Sequence, residues 1–401
     1  MNYKQLVLFF AFLFLILPGL SLAQDNIQEP INGAINLPPD AYYKAEITQV
    51  LNEEYLGTAE DRQLFQDLKI RILSGDEKNQ EIEIDRVGGV NVNGGHGFKT
   101  GDQVVVNKTT ESGEAVYYIQ DIYRIPALAI ITVIFLLVVI LFSRWRGVSS
   151  ILGLAITIGV IIKFVTPQII AGRNPLMISL IGAFVIALFS LYLAHGFNKR
   201  TSIAVLSTFI TLGLSTGLAV AFVHLTRLFG NGSEESVYLQ FGTTDINLQG
   251  LLLGGIILGA LGVLDDITTA QSATVDELKK ANPASTFRQL YSGAASVGQE
   301  HISSLINTLF LAYAGVALPL FLLFTVNSGT PIWITLNSEF IAEEIVRTLV
   351  GSITLIVAVP ITTLLAAYFF SSDAFGRSSD LSKTQRRSKT GPSSVETSHT
   401  H

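Results

Sequence analysis

The residues best placed to do chemistry are two adjacent carboxylates after a long apolar segment. Asp265 and Asp266 follow a run of apolar residues and glycines that is long enough to cross a bilayer. Carboxylates are costly in hydrocarbon, so those close to a membrane span mark candidate ion or proton pathways. If the helix continues, Asp265 shares one face with three hydroxyl residues at i+3, i+4 and i+7, namely Thr268, Thr269 and Ser272.

Polar side chains from two other segments are expected at the same membrane level. Glu300 and His301 begin a later apolar segment that also contains Asn307, and His195 ends an earlier one. These four complete a candidate ion, proton or substrate path with Asp265, Asp266, Thr268, Thr269 and Gln271. In this path the carboxylates change protonation and His301 relays the proton. The alternative is a helix cap in a hydrated loop, with His195 at the lipid headgroups.

No signature of an enzyme accompanies these residues. The sequence has no G-x-S-x-G motif, no Walker loop, no G-x-G-x-x-G after a strand and no H-E-x-x-H metal spacing. It contains no cysteine, which excludes thiolate zinc sites, iron–sulfur clusters and cysteine nucleophiles. Its net charge of −6 argues against a nucleic-acid partner. We therefore expect no enzymatic activity, no metal and no cofactor.

Seven segments long enough to cross a membrane must position these side chains. They run over 125–142, 148–165, 176–194, 203–224, 248–264, 302–324 and 345–370. Loops on one side hold twelve Lys or Arg residues and those on the other hold four, so the positive-inside rule places the tail, 371–401, in the cytoplasm. The tail is rich in Ser, Thr and Arg and is expected to be disordered. Pro319 and Pro360 are expected to kink or break their helices.

The segment 248–264 also carries a glycine pattern that favours close helix packing. Gly250 precedes Gly254 by four residues, and Gly255 precedes Gly259 by the same interval. Glycines at this spacing let the backbone of another helix approach closely.

The first part of the chain predicts a signal peptide and a domain outside the cytoplasm. Residues 1–23 contain one early Lys, a twelve-residue apolar run and small residues before Gln24, which is the layout of a signal peptide. A retained anchor is the alternative. Residues 24–125 hold 18 Asp or Glu against 9 Lys or Arg, and five short alternating segments there are separated by glycine turns. This pattern predicts a small all-β domain over 24–124, either an oligonucleotide/oligosaccharide-binding type of barrel or a sandwich.

Two stretches of the apolar part resemble the YibE/F-like family of multi-span prokaryotic membrane proteins. They are GALGVLDDITTAQSATVDELKKANP at 259–283 and GQEHISSLINTLFLAYAGVALPL at 298–320. The resemblance implies an extracytoplasmic β domain followed by a multi-span domain in a prokaryotic plasma membrane. It leaves the mechanism open.

Together these features predict an α-helical polytopic membrane protein of about seven spans with an N-terminal extracytoplasmic β domain. The leading hypothesis is a permease-like protein, whose β domain docks a partner or an envelope ligand and whose acidic pair couples transport. The alternative is a non-transporting membrane assembly or sensory scaffold, with both carboxylates in bulk water. The lipid bilayer is the expected partner, with a second copy of the chain or another membrane protein as further candidates.

Overall fold

The computed structural model of the chain describes residues 41–56, 63–88, 97–111, 114–240, 246–326, 329 and 331–388. The predicted signal peptide and residues 389–401 of the predicted tail lie outside these ranges. The chain divides into two compact units, one ending at Val138 and one beginning at Val139, and each is described by itself.

The first unit contains a five-stranded antiparallel sheet. Its strands are β1 (Ala41–Leu56), β2 (Gln63–Ile72), β3 (Glu81–Gly88), β4 (Gln103–Glu111) and β5 (Glu114–Ile122). The order across the sheet is β3-β2-β1-β4-β5. Register shifts in the central strand β1 after Ile47 and Val50 bend it, as bulges do, and β3 and β5 come close to each other. The sheet is therefore a curled half-barrel, which confirms the predicted all-β domain.

Strict alternation of side chains along the strands builds the core of this β domain. In β2, Leu68, Ile70 and Ile72 are fully buried, while the intervening polar residues face the other side. The buried Gln66 is satisfied, because its amide pairs with both the backbone N–H and the carbonyl of Phe98 at 2.6 and 3.1 Å. Alternation of this kind fixes the strand register, because a slip of one residue would expose the apolar set.

Hydrogen bonds to two acids tie the turn between β2 and β3 to the sheet. The Tyr43 hydroxyl donates to Asp76 Oδ1 at 2.9 Å, and this bond holds the pKa of Asp76 below its ordinary value. Glu77 accepts from the Tyr117 hydroxyl at 2.9 Å and from Lys108 Nζ. The bond to Glu77 raises the pKa of Lys108.

Ten α-helices follow in the described residues. They are α1 (Ile125–Val160), α2 (Thr166–Ile170), α3 (Pro175–His195), α4 (Lys199–Leu225), α5 (Glu234–Gln240), α6 (Leu248–Ala281), α7 (Phe287–Val316), α8 (Leu318–Val326), α9 (Ile332–Asn337) and α10 (Glu339–Ser388). A π-helical turn, Ile161–Val165, joins α1 to α2. The backbone of α1 leaves the helical conformation at Arg144, which has φ 52° and ψ −132°.

Six helical segments in the described part of the chain are long and apolar enough to cross a membrane. They are Ile125–Trp145, Gly147–Ile170, Pro175–His195, Lys199–Leu225, Leu248–Ala281 and Glu339–Ser371. Asparagine caps start three of them, since the side chains of Asn174, Asn198 and Asn247 each accept a backbone N–H from the first turn. The chain is therefore a multi-span membrane protein.

The predicted sixth span, 302–324, is not a continuous helix. Helix α7 ends at Val316 and α8 begins at Leu318. Pro319 has no N–H to donate to the carbonyl of Gly315, which explains the break. Pro360 lies inside α10, which continues without a break. That helix also extends to Ser388, beyond the predicted end at 370, in a stretch without proline.

Helix α6 lies at the centre of the second unit. It packs against α3, α4, α7 and α10, and its Ile257, Leu264 and Ile267 are among the most deeply buried side chains. It runs on past the predicted end at 264, so Asp265 and Asp266 lie within a continuous helix. The second half of α7, after Gly298, contributes no buried residue to this core.

Candidate functional site

The two adjacent carboxylates have different surroundings although they lie on the same helix. Asp265 is mostly buried, and its Oδ1 atom has no hydrogen-bond partner among the described residues. Asp266 is exposed on the surface of the helical unit. Successive residues of a helix point about 100° apart, so only Asp265 faces the packed helices.

A hydrogen bond between helices sets the depth of Asp265. Ser272 Oγ donates to the backbone carbonyl of Arg200 at 2.8 Å, and Arg200 lies in the first turn of α4. Asp265 precedes Ser272 by seven residues, which places it about 10 Å further along α6 toward the middle of the span. Asp265 therefore lies within the continuous helix α6 and not in a loop.

Hydroxyl and amide groups from α4, α6 and α10 also meet in the interior of the helical unit. Thr208 and Thr268 share a hydrogen bond of 2.9 Å between their hydroxyls. Gln271 Nε2 donates at 2.7 Å to both Thr363 Oγ1 and the carbonyl of Ala294. We give the name polar seam to eight of the buried polar residues on these three helices: Thr208, Thr211, Ser215, Thr268, Gln271, Thr354, Thr362 and Thr363.

The polar seam keeps unused bonding capacity. Ser215 pairs with Thr354 at 2.8 Å, and Ser215 is seven residues, or about 10 Å of helix, from Thr208. Like Asp265 Oδ1, three side-chain atoms of the polar seam are buried and have no hydrogen-bond partner in the described residues. They are Thr211 Oγ1, Gln271 Oε1 and Thr362 Oγ1. Groups of this kind can pass a proton or ligate a small cation.

Of the polar seam, only Thr268 and Gln271 were predicted from the sequence. Its signal was present in α4, where Thr201, Thr208, Thr211 and Ser215 recur on one helical face. Hydroxyl residues are common in membrane helices, so the spacing carries weight only when the partner helices are known.

Several predicted path residues do not join Asp265. On α7, Glu300, His301 and Asn307 are exposed. His195 is also exposed, at the end of α3. Thr269 Oγ1 donates to the carbonyls of its own helix, at 2.8 Å to residue 265 and 3.1 Å to residue 266. Of the predicted path residues, Thr268 and Gln271 are fully buried and pair with Thr208 on α4 and Thr363 on α10, because facing helices decide which polar groups meet.

The predicted packing glycines serve different neighbours. A Cβ built on Gly254 would lie 2.3 Å from Ser179 Oγ, and one on Gly250 would lie 3.1 Å from Pro175 Cδ, so both face α3. A Cβ on Gly259 would lie 3.2 Å from the hydroxyl of Tyr313 on α7. Gly255 has open space within 4 Å and is not a packing position within this chain.

Two further acids, which the sequence analysis did not single out, bind the loop that follows α4. Glu339 Oε1 accepts the backbone N–H groups of Phe229, Gly230 and Asn231 at 2.5, 2.9 and 3.3 Å. Glu343, which is only 3% exposed, accepts that of Gly232 at 2.8 Å. Their signal was an i, i+4 Glu pair at the start of the last span. Because both carboxylates accept backbone N–H groups of this loop, we interpret Glu339 and Glu343 as structural residues.

Asp265 does not line either of two cavities formed by described residues of the helical unit. One, of about 340 Å³, is lined by Asn198, Lys199, Arg200, Asp276, Lys280 and Phe370. The other, of about 180 Å³, lies beside Glu343 and Arg347. Within the part of the chain that the structure describes, no group of three or more His, Asp or Glu side chains is arranged to hold a metal ion.

Comparison with known families gives one match. The profile of a family described as YibE/F-like protein matches residues 131–372, which is more than half of the chain. The chain belongs to the YibE/F-like protein family. The match includes Asp265, all of the polar seam and both cavities, and it begins after the β domain. No curated protein and no solved structure matches the chain.

Proposed function

We propose that this member of the YibE/F-like family is a permease-like protein without enzymatic activity, which couples solute movement to the protonation of Asp265. The observation that carries the proposal is the buried, unpartnered Oδ1 of Asp265 inside a packed set of membrane helices. An isolated ionised carboxylate in such a place is very unfavourable. The side chain must therefore be protonated or paired with a cation whenever it is enclosed, and it can ionise when it meets water.

The polar seam supports a route to and from this carboxylate. Its hydroxyls follow α4 from Thr208 to Ser215, and they are paired across helices at Thr208 and Thr268. Donor–acceptor groups along this part of the span support local proton or cation transfer. An assembly or sensory scaffold, the rival function, needs neither a buried carboxylate nor this seam.

The test compares two neutralising substitutions, Asp265→Asn and Asp266→Asn, which change adjacent residues in the same way. Each variant is expressed in a deletion strain, and complementation and membrane abundance are measured together. We expect Asp265→Asn to abolish complementation at normal abundance, because the amide cannot change its charge. Asp266→Asn is the matched control and should retain most activity, since its side chain is exposed. Full complementation by the double variant at normal abundance would contradict the proposal and favour the scaffold.

A second assay addresses transport directly. The purified chain is reconstituted into liposomes that contain a pH-sensitive dye, and candidate solutes are added outside under an imposed pH gradient. We expect one class of solute to accelerate proton movement in the wild-type protein and in Asp266→Asn, and not in Asp265→Asn. A solute flux that is equal in all three proteins would exclude proton coupling through Asp265.

We also propose that residues 1–23 are a signal peptide, that the β domain is extracytoplasmic and that the tail is cytoplasmic. The twelve-to-four distribution of basic residues supports this orientation. The chain contains no cysteine, so Ser112→Cys and Ser393→Cys each introduce a unique label. An impermeant thiol reagent should modify position 112 and spare position 393 in intact cells. The reverse labelling pattern would invert the orientation.

The β domain is proposed to dock an envelope ligand through an aromatic row. Tyr42 pairs with Asn107 in the β1–β4 ladder, and Asn107 pairs with Tyr118 in the β4–β5 ladder. Both tyrosines are exposed. Two aromatic rings with an amide between them can bind a sugar ring or a peptide. The isolated domain should sediment with purified cell-wall polymer, and Tyr42→Ala should release it. Equal sedimentation of both proteins would remove the row from the docking surface.

The exposed polar face of α7 supports association with another membrane helix, and we propose a second copy of this chain. Ser303 and Asn307 are exposed one turn apart, and such side chains in a bilayer favour interhelical hydrogen bonds. Ser303→Cys should form a disulfide-linked dimer in oxidised membranes, while Ser272→Cys, at a fully buried position, should not. A monomeric Ser303→Cys protein would exclude a symmetric contact at this face.

A further inference from the structure

A short segment that follows α4 is bound to the start of α10 through backbone N–H groups. We call residues 228–233 the strap. Glu339 Oε1 accepts the N–H groups of Phe229, Gly230 and Asn231 at 2.5, 2.9 and 3.3 Å. Successive N–H groups that converge in this way form an anion-binding nest. An ionised carboxylate accepts such bonds more strongly than a neutral carboxyl group does, so the charge of Glu339 determines how firmly the strap is held.

The two carboxylates that bind the strap differ in their access to water. Glu339 is partly exposed. Glu343 is only 3% exposed and accepts the N–H of Gly232 at 2.8 Å. A Cβ built on Gly232 would lie 2.4 Å from Glu343 Cδ, so the strap backbone lies directly against this carboxyl group. Glu339 is therefore the better placed of the two to exchange a proton with water, and Glu343 is the buried anchor.

The strap is also fixed to the start of α6. Gln249 Nε2 donates to the carbonyl of Leu228 at 2.5 Å. Gly230 has a φ of +89°, and a Cβ there would lie 2.3 Å from the carbonyl oxygen of Leu248, so only glycine fits at this close approach. The strap thus connects the end of α4 with the starts of α6 and α10, and its release from Glu339 would loosen that connection.

Other charges lie near the two carboxylates. Glu343 faces the charges of Glu339, Glu344 and Arg347, and the last two form a salt bridge. Helix α9 contains no ionisable side chain, and α6 contains none before Asp265. Further ionisable side chains of the neighbouring elements are Tyr313 on α7, which faces Glu344 and Arg347, His224 and Arg227 at the end of α4 and just after it, and Glu234 and Glu235 on α5. Of all these groups, Glu339 accepts the largest number of strap N–H groups in the described residues.

We propose that Glu339 makes the strap a pH-sensitive latch, which is closed while this carboxylate is ionised and opens when it is protonated. Protonation leaves the three N–H groups with a neutral acceptor, and neutral hydrogen bonds are about half as strong as charge-assisted ones. Because the closed latch favours the ionised form, a falling pH shifts the equilibrium toward the open latch. The latch requires no transport activity and does not rest on the proposed role of Asp265.

Hydrogen exchange of the strap amides in the full chain, purified in an uncharged detergent, tests the latch. Protection factors are corrected for the intrinsic pH dependence of exchange and measured between about pH 7.5 and about pH 4, the range in which carboxyl groups begin to titrate. We expect the protection of amides 229–231 to fall about tenfold, which corresponds to about 1.4 kcal/mol, while the amides of α6 keep their protection. An equal loss in α6 would indicate global unfolding, and constant protection of the strap would show that protonation does not open it. Either result would overturn the latch.

Two neutralising variants and a control identify the carboxylate. Glu339→Gln should leave amides 229–231 weakly protected at neutral pH and unresponsive to pH. Glu343→Gln should weaken the protection of the Gly232 amide and keep the pH response of amides 229–231. Glu235→Gln removes an exposed charge that lines the same cavity as Glu343 and should behave like the wild type. A pH response that persists in Glu339→Gln, or that disappears in Glu343→Gln or Glu235→Gln, would overturn the assignment to Glu339.

Discussion

The packing of α6 against α3 makes a prediction that can be worked out from two neighbouring glycines. A methyl group added at Gly254 would lie 2.3 Å from Ser179 Oγ and 3.0 Å from Ser179 Cβ, whereas one added at Gly255 would meet nothing within 4 Å. Ser179 is only 2% exposed, and rotation of its hydroxyl does not move its Cβ. Gly254→Ala must therefore push the two helices apart.

The expected change in the free energy of unfolding follows from two opposing contributions. Replacing Gly by Ala within a helix stabilises it by about 0.8–1.0 kcal/mol, and this term is common to both positions. Overpacking a well-packed contact costs about 1–3 kcal/mol, and this term applies only to Gly254→Ala. The free energy of unfolding of Gly254→Ala should thus be about 1–3 kcal/mol lower than that of Gly255→Ala, which should itself exceed that of the wild-type protein.

Reversible unfolding in mixed micelles, followed by circular dichroism, measures these free energies. Adding Ser179→Gly to Gly254→Ala removes the clashing atoms, so the double-mutant cycle should show a favourable coupling energy of at least about 0.5 kcal/mol. Equal stability of the two alanine variants, or a coupling energy near zero, would show that α3 and α6 are not in the described contact.

Three further predictions concern the β domain and the polar seam. The fragment 30–122 should fold alone, and circular dichroism in plain buffer should show β structure; a disordered fragment would refute an independent domain. In this fragment Tyr43→Phe should raise the pKa of Asp76 toward its ordinary 3.8, as measured by carboxyl NMR titration. Because a lowered folded pKa adds stability that is lost as pH falls through it, the wild-type fragment should lose more stability in acid than Tyr43→Phe. Gln271→Leu should destabilise the full chain by about 1–2 kcal/mol, because Thr363 Oγ1 loses the donor of Gln271 while its own O–H still donates to the Val359 carbonyl, and adding Thr363→Val should recover part of the loss in micellar unfolding.

The sequence was sufficient to predict the β domain because both of its signals are local. Alternation over five to ten residues determines which side chains face the core, and glycine turns mark the ends of strands. The apolar runs predicted the membrane helices for the same reason. The exception was 302–324, where a single proline outweighs a continuous apolar composition and divides the segment between α7 and α8.

The candidate site was harder to predict because it depends on which helices face each other. Helical periodicity correctly aligns Asp265 with Thr268, but it gives no direction to α7. Gln271 bonds the backbone of α7 at Ala294, before the helix reaches His301, and this contact leaves the later polar residues on the exposed side. The spacing of residues within one helix does not show which side of that helix contacts another helix.

The contrast between Asp265 and Asp266 is the strongest reason to assign a role to one side chain. Both follow the same apolar run and have the same charge, so composition, hydropathy and distance from the membrane boundary do not distinguish them. The 100° rotation between them distinguishes the two, because it turns most of Asp265 away from the surface and leaves Asp266 exposed. A residue that only capped a helix or kept a loop hydrated would be more stable at the exposed position. A buried carboxylate oxygen without a hydrogen-bond partner in the described residues is the feature that the proposed protonation of Asp265 requires.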